Sequence, residues 1–156
     1  MKKLPKKLSK RLPKKLSALL RIAVRDAQKC EVSDEYVLDM SVWYAPSSKA
    51  DDDTCSVCMA GAVMAQTLKA SPHPEGRYPS GFDDATAGKL RAIDNMRMGD
   101  FIEAAQLLGV LTSSNQKHAA LHECSSVVFS ATSINSGRAS WETYLKAANI
   151  LEAVGL

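Results

Sequence analysis

The chain has 156 residues, a formal net charge of +3 and a hydrophobic content of 46%. This length is typical of one domain with its own core, and no apolar run reaches the roughly 18 residues that a bilayer-spanning helix needs. The sequence therefore predicts no membrane-spanning helix. No apolar signal region with a cleavage site follows the basic start, so we expect a cytoplasmic protein.

The charge is distributed unevenly along the chain. Residues 1–21 contain nine basic residues and no acidic one, whereas the remainder holds 11 basic and 17 acidic residues, a formal net charge of −6. Such asymmetry is typical of an interaction tail on a globular body. We therefore expect a flexible lysine-rich arm over residues 1–11 and a single helical domain over residues 12–156.

Helical periodicity dominates the domain. In chain order, it predicts helices at about 13–30, 55–69, 84–98, 100–109, 114–128 and 140–155. Residues 36–44 mix helical and strand signals and allow a short helix or one strand, while the prolines and glycines of 70–83 predict a long surface loop. The predicted fold is mainly α: a compact bundle of six or seven helices, at most one short strand pair, and a basic N-terminal arm.

The arm offers cations to an anionic partner. Its candidate residues for binding nucleic acid or an acidic partner are Lys6, Lys7, Lys10, Arg11, Lys14 and Lys15. Lysines neutralise phosphates without reading bases, and the arm has no aromatic side chains on which single-stranded bases could stack. Nonspecific nucleic-acid binding, docking on a membrane surface and docking on an acidic protein all stay open. A solubilising tail that pairs with the acidic body is a fourth interpretation.

Two cysteines and two histidines form the most specific candidate site in the sequence, a possible set of metal ligands. Two residues separate Cys55 from Cys58, and His118 and His122 share one face of a predicted helix. Thiolates and imidazoles in such pairs can close a structural zinc site. However, Cys58 leads into a helix rich in alanine and glycine, where a free cysteine is a small core residue. Core packing is therefore favoured, and zinc is the one cofactor that the sequence suggests.

One segment resembles a known group of proteins. Met40 and Trp43, a short polar loop, and residues 55–61 (Cys-Ser-Val-Cys-Met-Ala-Gly) resemble a segment of small uncharacterised proteins encoded by phages and prophages. The resemblance covers residues 37–68, and a weaker resemblance covers residues 141–156. The Cys-Gly-Thr sequence that often accompanies this pattern is missing here. The resemblance implies a phage accessory protein, a class rich in small binders that redirect or block host machinery, and it carries over no catalytic residue.

These observations favour a non-enzymatic protein that binds and modulates a host protein or nucleoprotein complex, including a host defence system. The candidate partner surface consists of Trp43, Tyr44, Arg77 and Tyr78. Two alternatives stay open. One is a nonspecific nucleic-acid binder that uses the basic arm, and the other is a small zinc- or cysteine-dependent enzyme around the cysteine pair. The sequence holds no phosphate loop, nucleophile elbow or metalloprotease helix in support of a particular reaction.

Overall fold

The computed structural model describes residues 12–47, 53–93, 98–107, 115–129 and 140–156. Within these ranges the chain forms the helices α1 (Leu16–Glu31), α2 (Met59–Gln66), α3 (Asp84–Ile93), α4 (Met98–Leu107), α5 (Asn115–Phe129) and α6 (Ser140–Ala153). The strands are β1 (Tyr36–Leu38), β2 (Tyr44–Pro46) and β3 (Cys55–Val57). The predicted mainly helical class is confirmed. The arm predicted over residues 1–11 lies outside the described residues.

A three-stranded sheet replaces the predicted maximum of one strand pair. β3 is the central strand, and it pairs parallel with β1 and antiparallel with β2. β1 and the first residue of β2 come from residues 36–44, where the sequence signals were mixed. The helix predicted at 55–69 begins only at Met59, because the residues before it form β3. Strands of three residues are too short to show the alternation on which strand prediction depends.

α1 is the helix around which the other elements are arranged. It packs against α2, α3, α6 and β1. An apolar stripe with helical spacing is buried throughout, and it consists of Leu12, which precedes α1, and Leu16, Leu19, Ala23, Ala27 and Cys30. Burying such a stripe is the main source of stability for an amphipathic helix.

α2 is the most deeply buried helix described. All residues from Met59 to Ala65 are buried, and the helix contacts α1, α3, β2 and β3. Its alanines and its glycine let these neighbours approach closely.

The remaining helices pack against one another in chain order, and the last of them packs against α1. α3 contacts α4, α4 contacts α5, α5 contacts α6, and α6 packs along α1. Gly99, which falls between the helices predicted at 84–98 and 100–109, lies in the first turn of α4. Gly155 ends α6 as expected: its φ is +80°, and the N–H groups of Gly155 and Leu156 donate back to Glu152 and Leu151. No helix in the described ranges is long and apolar enough to span a membrane.

Candidate functional site

Residues of the segment 37–68, on which the resemblance to phage proteins rests, meet where the sheet joins α2. The backbone oxygen of Trp43 accepts a hydrogen bond from the N–H of Cys58 at 3.2 Å and from the Cys58 thiol at 3.5 Å. Cys58 is the N-cap of α2, and its sulfur accepts a hydrogen bond from the N–H of Gly61 at 3.3 Å. This thiol therefore joins the Trp43 carbonyl to the first turn of the helix.

Gly61 is required because α2 crosses the Trp43 carbonyl. A Cβ atom at position 61 would lie 1.5 Å from the Trp43 oxygen and 3.3 Å from Cβ of Val57. No side chain fits at the first distance, and the blocking atom is backbone. The spacing of Trp43, Cys58 and Gly61 thus follows from the way the sheet and α2 pack together.

Burial disfavours the thiolate form of three of the four cysteines, Cys30, Cys55 and Cys124. Cys30, Cys58 and Cys124 are fully buried, and Cys55 is partly buried. Burial raises the pKa of the Cys30 and Cys55 thiols and raises the pKa of Cys124 to about 12. Because the thiolate is the form that attacks electrophiles and binds metals, these environments suit packing rather than reaction.

The structure does not bring the proposed zinc ligands together. Cys55 lies on β3 and Cys58 begins α2, whereas His118 and His122 lie exposed on α5, which packs against α4 and α6. Among the described residues, no group of three or more His, Cys, Asp or Glu side chains is placed to hold a metal ion. These four residues therefore do not form one ligand set, because their elements lie in different parts of the fold.

The predicted partner surface is only partly formed. The rings of Trp43 and Tyr78 pack with their centroids 4.0 Å apart, and the Tyr78 hydroxyl donates to the Ala87 oxygen at 3.3 Å. Arg77 is exposed and pairs with Glu75 at 2.7 Å. The segment 70–83, predicted as a loop, is thereby held against the sheet by its aromatic side chains.

Tyr44 does not belong to this surface, which corrects the prediction. Its side chain is only 5% exposed, because β2 turns it towards the core. A hydrogen bond joins its phenol to that of Tyr36, and burial raises the pKa of both groups. Tyr36 lies opposite Cys55 in the β1–β3 pairing, so the two phenols and this thiol share one face of the sheet.

The root of the basic arm is fixed to the domain. Leu12 is 5% exposed and belongs to the core, whereas Lys14 and Lys15 are exposed just before α1. Within the described residues, neither lysine forms an ion pair. The candidate residues Lys6, Lys7, Lys10 and Arg11 lie outside the described residues.

Lys89 on α3 joins this basic region, and the sequence pattern did not identify it. Burial lowers the pKa of Lys89, the charge of Asp83 raises it, and the nearby charge of Lys14 lowers it again. The two lysines therefore lie close enough to repel each other. Only the packing of α3 on α1 brings them together, so no local sequence signal could have predicted their proximity.

A buried carboxylate is a second feature that the sequence did not reveal. Asp26 is 0% exposed, and its Oδ1 accepts hydrogen bonds from Nε and an Nη of Arg25 at 3.0 and 2.9 Å. Its Oδ2 accepts a hydrogen bond from the Thr67 hydroxyl at the end of α2. Asp26 is thus fully engaged in tying α1 to α2, as buried charges require.

A small open cleft lies between α3 and α4. Its volume is about 260 Å³, and it is lined by Asp84, Ala87, Gly88, Arg91, Glu103 and Leu107. The guanidinium of Arg91 already pairs with Glu103 at 3.1 Å. Ligand pockets usually exceed roughly 300 Å³ and are mostly apolar, so we assign no ligand to this cleft.

Comparisons with protein-family models, with curated proteins and with solved structures find no match to this chain. Its function must therefore be argued from the residues described above.

Proposed function

We propose that this chain is a non-enzymatic accessory protein of the phage-encoded kind that its segment 37–68 resembles. In this proposal it binds and modulates a host protein or nucleoprotein complex. The helical domain presents the basic residues of its N-terminal arm, and Trp43, Arg77 and Tyr78 supply a second contact surface.

The exposed lysines at the root of the arm carry this proposal. Lys14 and Lys15 follow the buried Leu12 after one intervening proline and have no ion-pair partner among the described residues. The exposed charges of Lys14 and Lys15 therefore lie at a fixed point of the domain. An acidic protein or a phosphate backbone would complement these charges.

The cysteine pair supports binding rather than catalysis. Cys58 caps α2 and contacts the Trp43 carbonyl, while burial raises the pKa of Cys55. Cys58 thus has a structural role at the start of α2, and burial disfavours the reactive thiolate form of Cys55. The described cleft is small, and an ion pair already occupies it. We therefore propose that the protein acts through its surface and not through a pocket.

The test is affinity capture from a bacterial extract with two variants. The arm variant replaces Lys6, Lys7, Lys10, Arg11, Lys14 and Lys15 with glutamine. The control variant replaces three lysines outside the arm with glutamine: Lys69 after α2, Lys117 on α5 and Lys146 on α6. Circular dichroism and melting temperatures show that both variants fold, and captured proteins are identified by mass spectrometry with and without nuclease.

We expect the parent protein and the control variant to retain the same defined host complex and the arm variant to lose it. Reconstitution with the purified complex should then show a change in the activity of that complex. Equal capture by the arm variant, or no specific capture by the parent protein, would refute the proposal.

A further inference from the structure

The solvent face of α1 continues the basic character of the arm into the folded domain. Arg21, Arg25 and Lys29 are spaced four residues apart, which places them within about 80° of each other around the helix. Lys29 and Arg25 are exposed, and Arg21 is partly exposed. Together with Lys14 and Lys15 they form a basic track, which we define as these five residues.

Two arginines of the basic track are held in place by carboxylates. Arg21 donates to Asn149 at 3.0 Å and pairs with Glu152 on α6. Arg25 is held by the buried Asp26. A guanidinium has five N–H donors in a planar fork, so a carboxylate on one edge orients the group and leaves other donors for a phosphate.

The three lysines of the basic track supply the uncompensated charge. Lys14, Lys15 and Lys29 form no ion pair within the described part of the chain. Of the two acids on α1, Asp26 is fully buried, and Glu31 accepts a hydrogen bond from Nε1 of Trp141 at 3.3 Å. Of the charged side chains between Lys14 and Lys29, those that are exposed or partly exposed are therefore all cations, and Glu152 of α6, which pairs with Arg21, is the acid beside them.

We infer that the basic track binds the phosphate backbone of double-stranded nucleic acid without reading its base sequence. The inference rests on the proposed function and names the chemistry of the partner at this surface. From Leu16 to Lys29 the helix rises about 20 Å, at 1.5 Å per residue, and Lys14 and Lys15 lie just before it. That length is more than half of a duplex turn, over which many phosphates lie within reach.

The same surface argues against the other anionic partners. A membrane-surface helix must bury its apolar face in lipid, but the apolar stripe of α1 is already buried in the core of the protein. Single-strand binders use aromatic side chains as stacking platforms, and α1 contains none. Because lysines and arginines on phosphates carry no base information, binding to duplexes of different sequence should be equal.

The experiment measures the binding of the full chain to two 30-base-pair DNA duplexes of unrelated sequence by fluorescence anisotropy. Binding is followed from about 50 to 300 mM NaCl, since log K falls with log salt by about 0.9 per neutralised phosphate. The test variant is Lys29→Gln, which leaves the arm and both arginine pairs intact. Its matched control is Lys117→Gln on α5, which removes the same charge from a helix that packs on α4 and α6.

We expect Lys29→Gln to reduce the salt slope by about 0.9 and to weaken binding about eightfold at 0.1 M NaCl, which is the loss of one phosphate contact. Lys117→Gln should match the parent protein, and both duplexes should bind alike. Equal behaviour of the two variants, a strong preference for one duplex, or no duplex binding would overturn the inference. A nuclease-resistant, arm-dependent host complex in the capture experiment would in that case leave the proposed function standing.

Discussion

The hydroxyl of Ser17 donates a 2.6 Å hydrogen bond to the backbone oxygen of Leu156, although 139 positions separate the two residues. The same oxygen accepts the N–H of Ser17 at 3.3 Å, so it serves one of the otherwise unpaired donors in the first turn of α1. The left-handed turn at Gly155 places it there. The end of the last helix thus fixes the start of the helix that carries the basic track.

Replacing Ser17 with alanine should destabilise the protein by about 1 kcal/mol, the usual net value of one hydrogen bond. The hydroxyl is buried, so water cannot replace it. Urea denaturation followed by circular dichroism would measure the change in the free energy of unfolding. Ser71→Ala, at an exposed serine, is the matched control and should have little effect. An equally small effect at position 17 would show that the hydrogen bond from the Ser17 N–H alone is enough to hold Leu156 against the start of α1.

The helices were predictable because their signals are local. The stripe of α1 from Leu12 to Cys30, the small-residue helix α2 and the stop at Gly155 could all be inferred from residue spacing. The sheet could not, because each strand has three residues and β1 pairs with β3 rather than with its neighbour in sequence. Pairing between distant segments leaves no periodic trace in a single sequence.

The candidate site was predictable in part. Exposure of Lys14 and Lys15 followed from the charge pattern, whereas the approach of Lys89 depends on the packing of α3. Tyr44 was assigned to a surface because an aromatic residue beside Trp43 suggests an interface. Its burial was decided by which face of a three-residue strand meets the core. Residue type alone does not determine that orientation.

Gly61→Ala should cost about 3–5 kcal/mol or prevent folding, because the added Cβ would collide with the Trp43 backbone. Gly88→Ala on α3 is the matched control. Its Cβ would meet the end of the Leu107 side chain, which is partly exposed and can rotate away. The gain in helix propensity of about 1 kcal/mol offsets that adjustment. Denaturation curves of both variants test the prediction, which fails if the two substitutions cost the same.

Cys58→Ser should be tolerated better than Cys58→Ala, by about 1 kcal/mol. Serine is a favoured N-cap residue, and its hydroxyl can accept from the Gly61 N–H and donate to the Trp43 oxygen as the thiol does. Alanine can do neither. Thermal melts and the proposed partner binding should both rank parent, serine and alanine in that order. A serine variant that folds normally but no longer binds its partner would instead indicate a chemical role for the thiol.

Asp83 should make the stability of α3 depend on pH. The Thr86 N–H donates to its carboxylate at 2.7 Å, and this bond holds the pKa of Asp83 below its ordinary value. A folded-state pKa below the unfolded one means that the ionised carboxylate stabilises the fold above about pH 4, and that this contribution is lost as the pH falls through the folded-state pKa. Asp83→Asn keeps an N-cap acceptor but cannot titrate.

The melting temperature of the parent protein minus that of Asp83→Asn should therefore be constant above about pH 5. Below about pH 4 this difference should decrease, because the parent protein loses the contribution of its ionised carboxylate. Asp83→Ala removes the cap at every pH and should cost about 1 kcal/mol near neutrality. Melts between pH 2.5 and 7 in one buffer series separate the two effects, since the other carboxylates titrate alike in all three proteins. A difference that does not change with pH would show that charge contributes nothing at this cap and that its hydrogen bond alone stabilises α3.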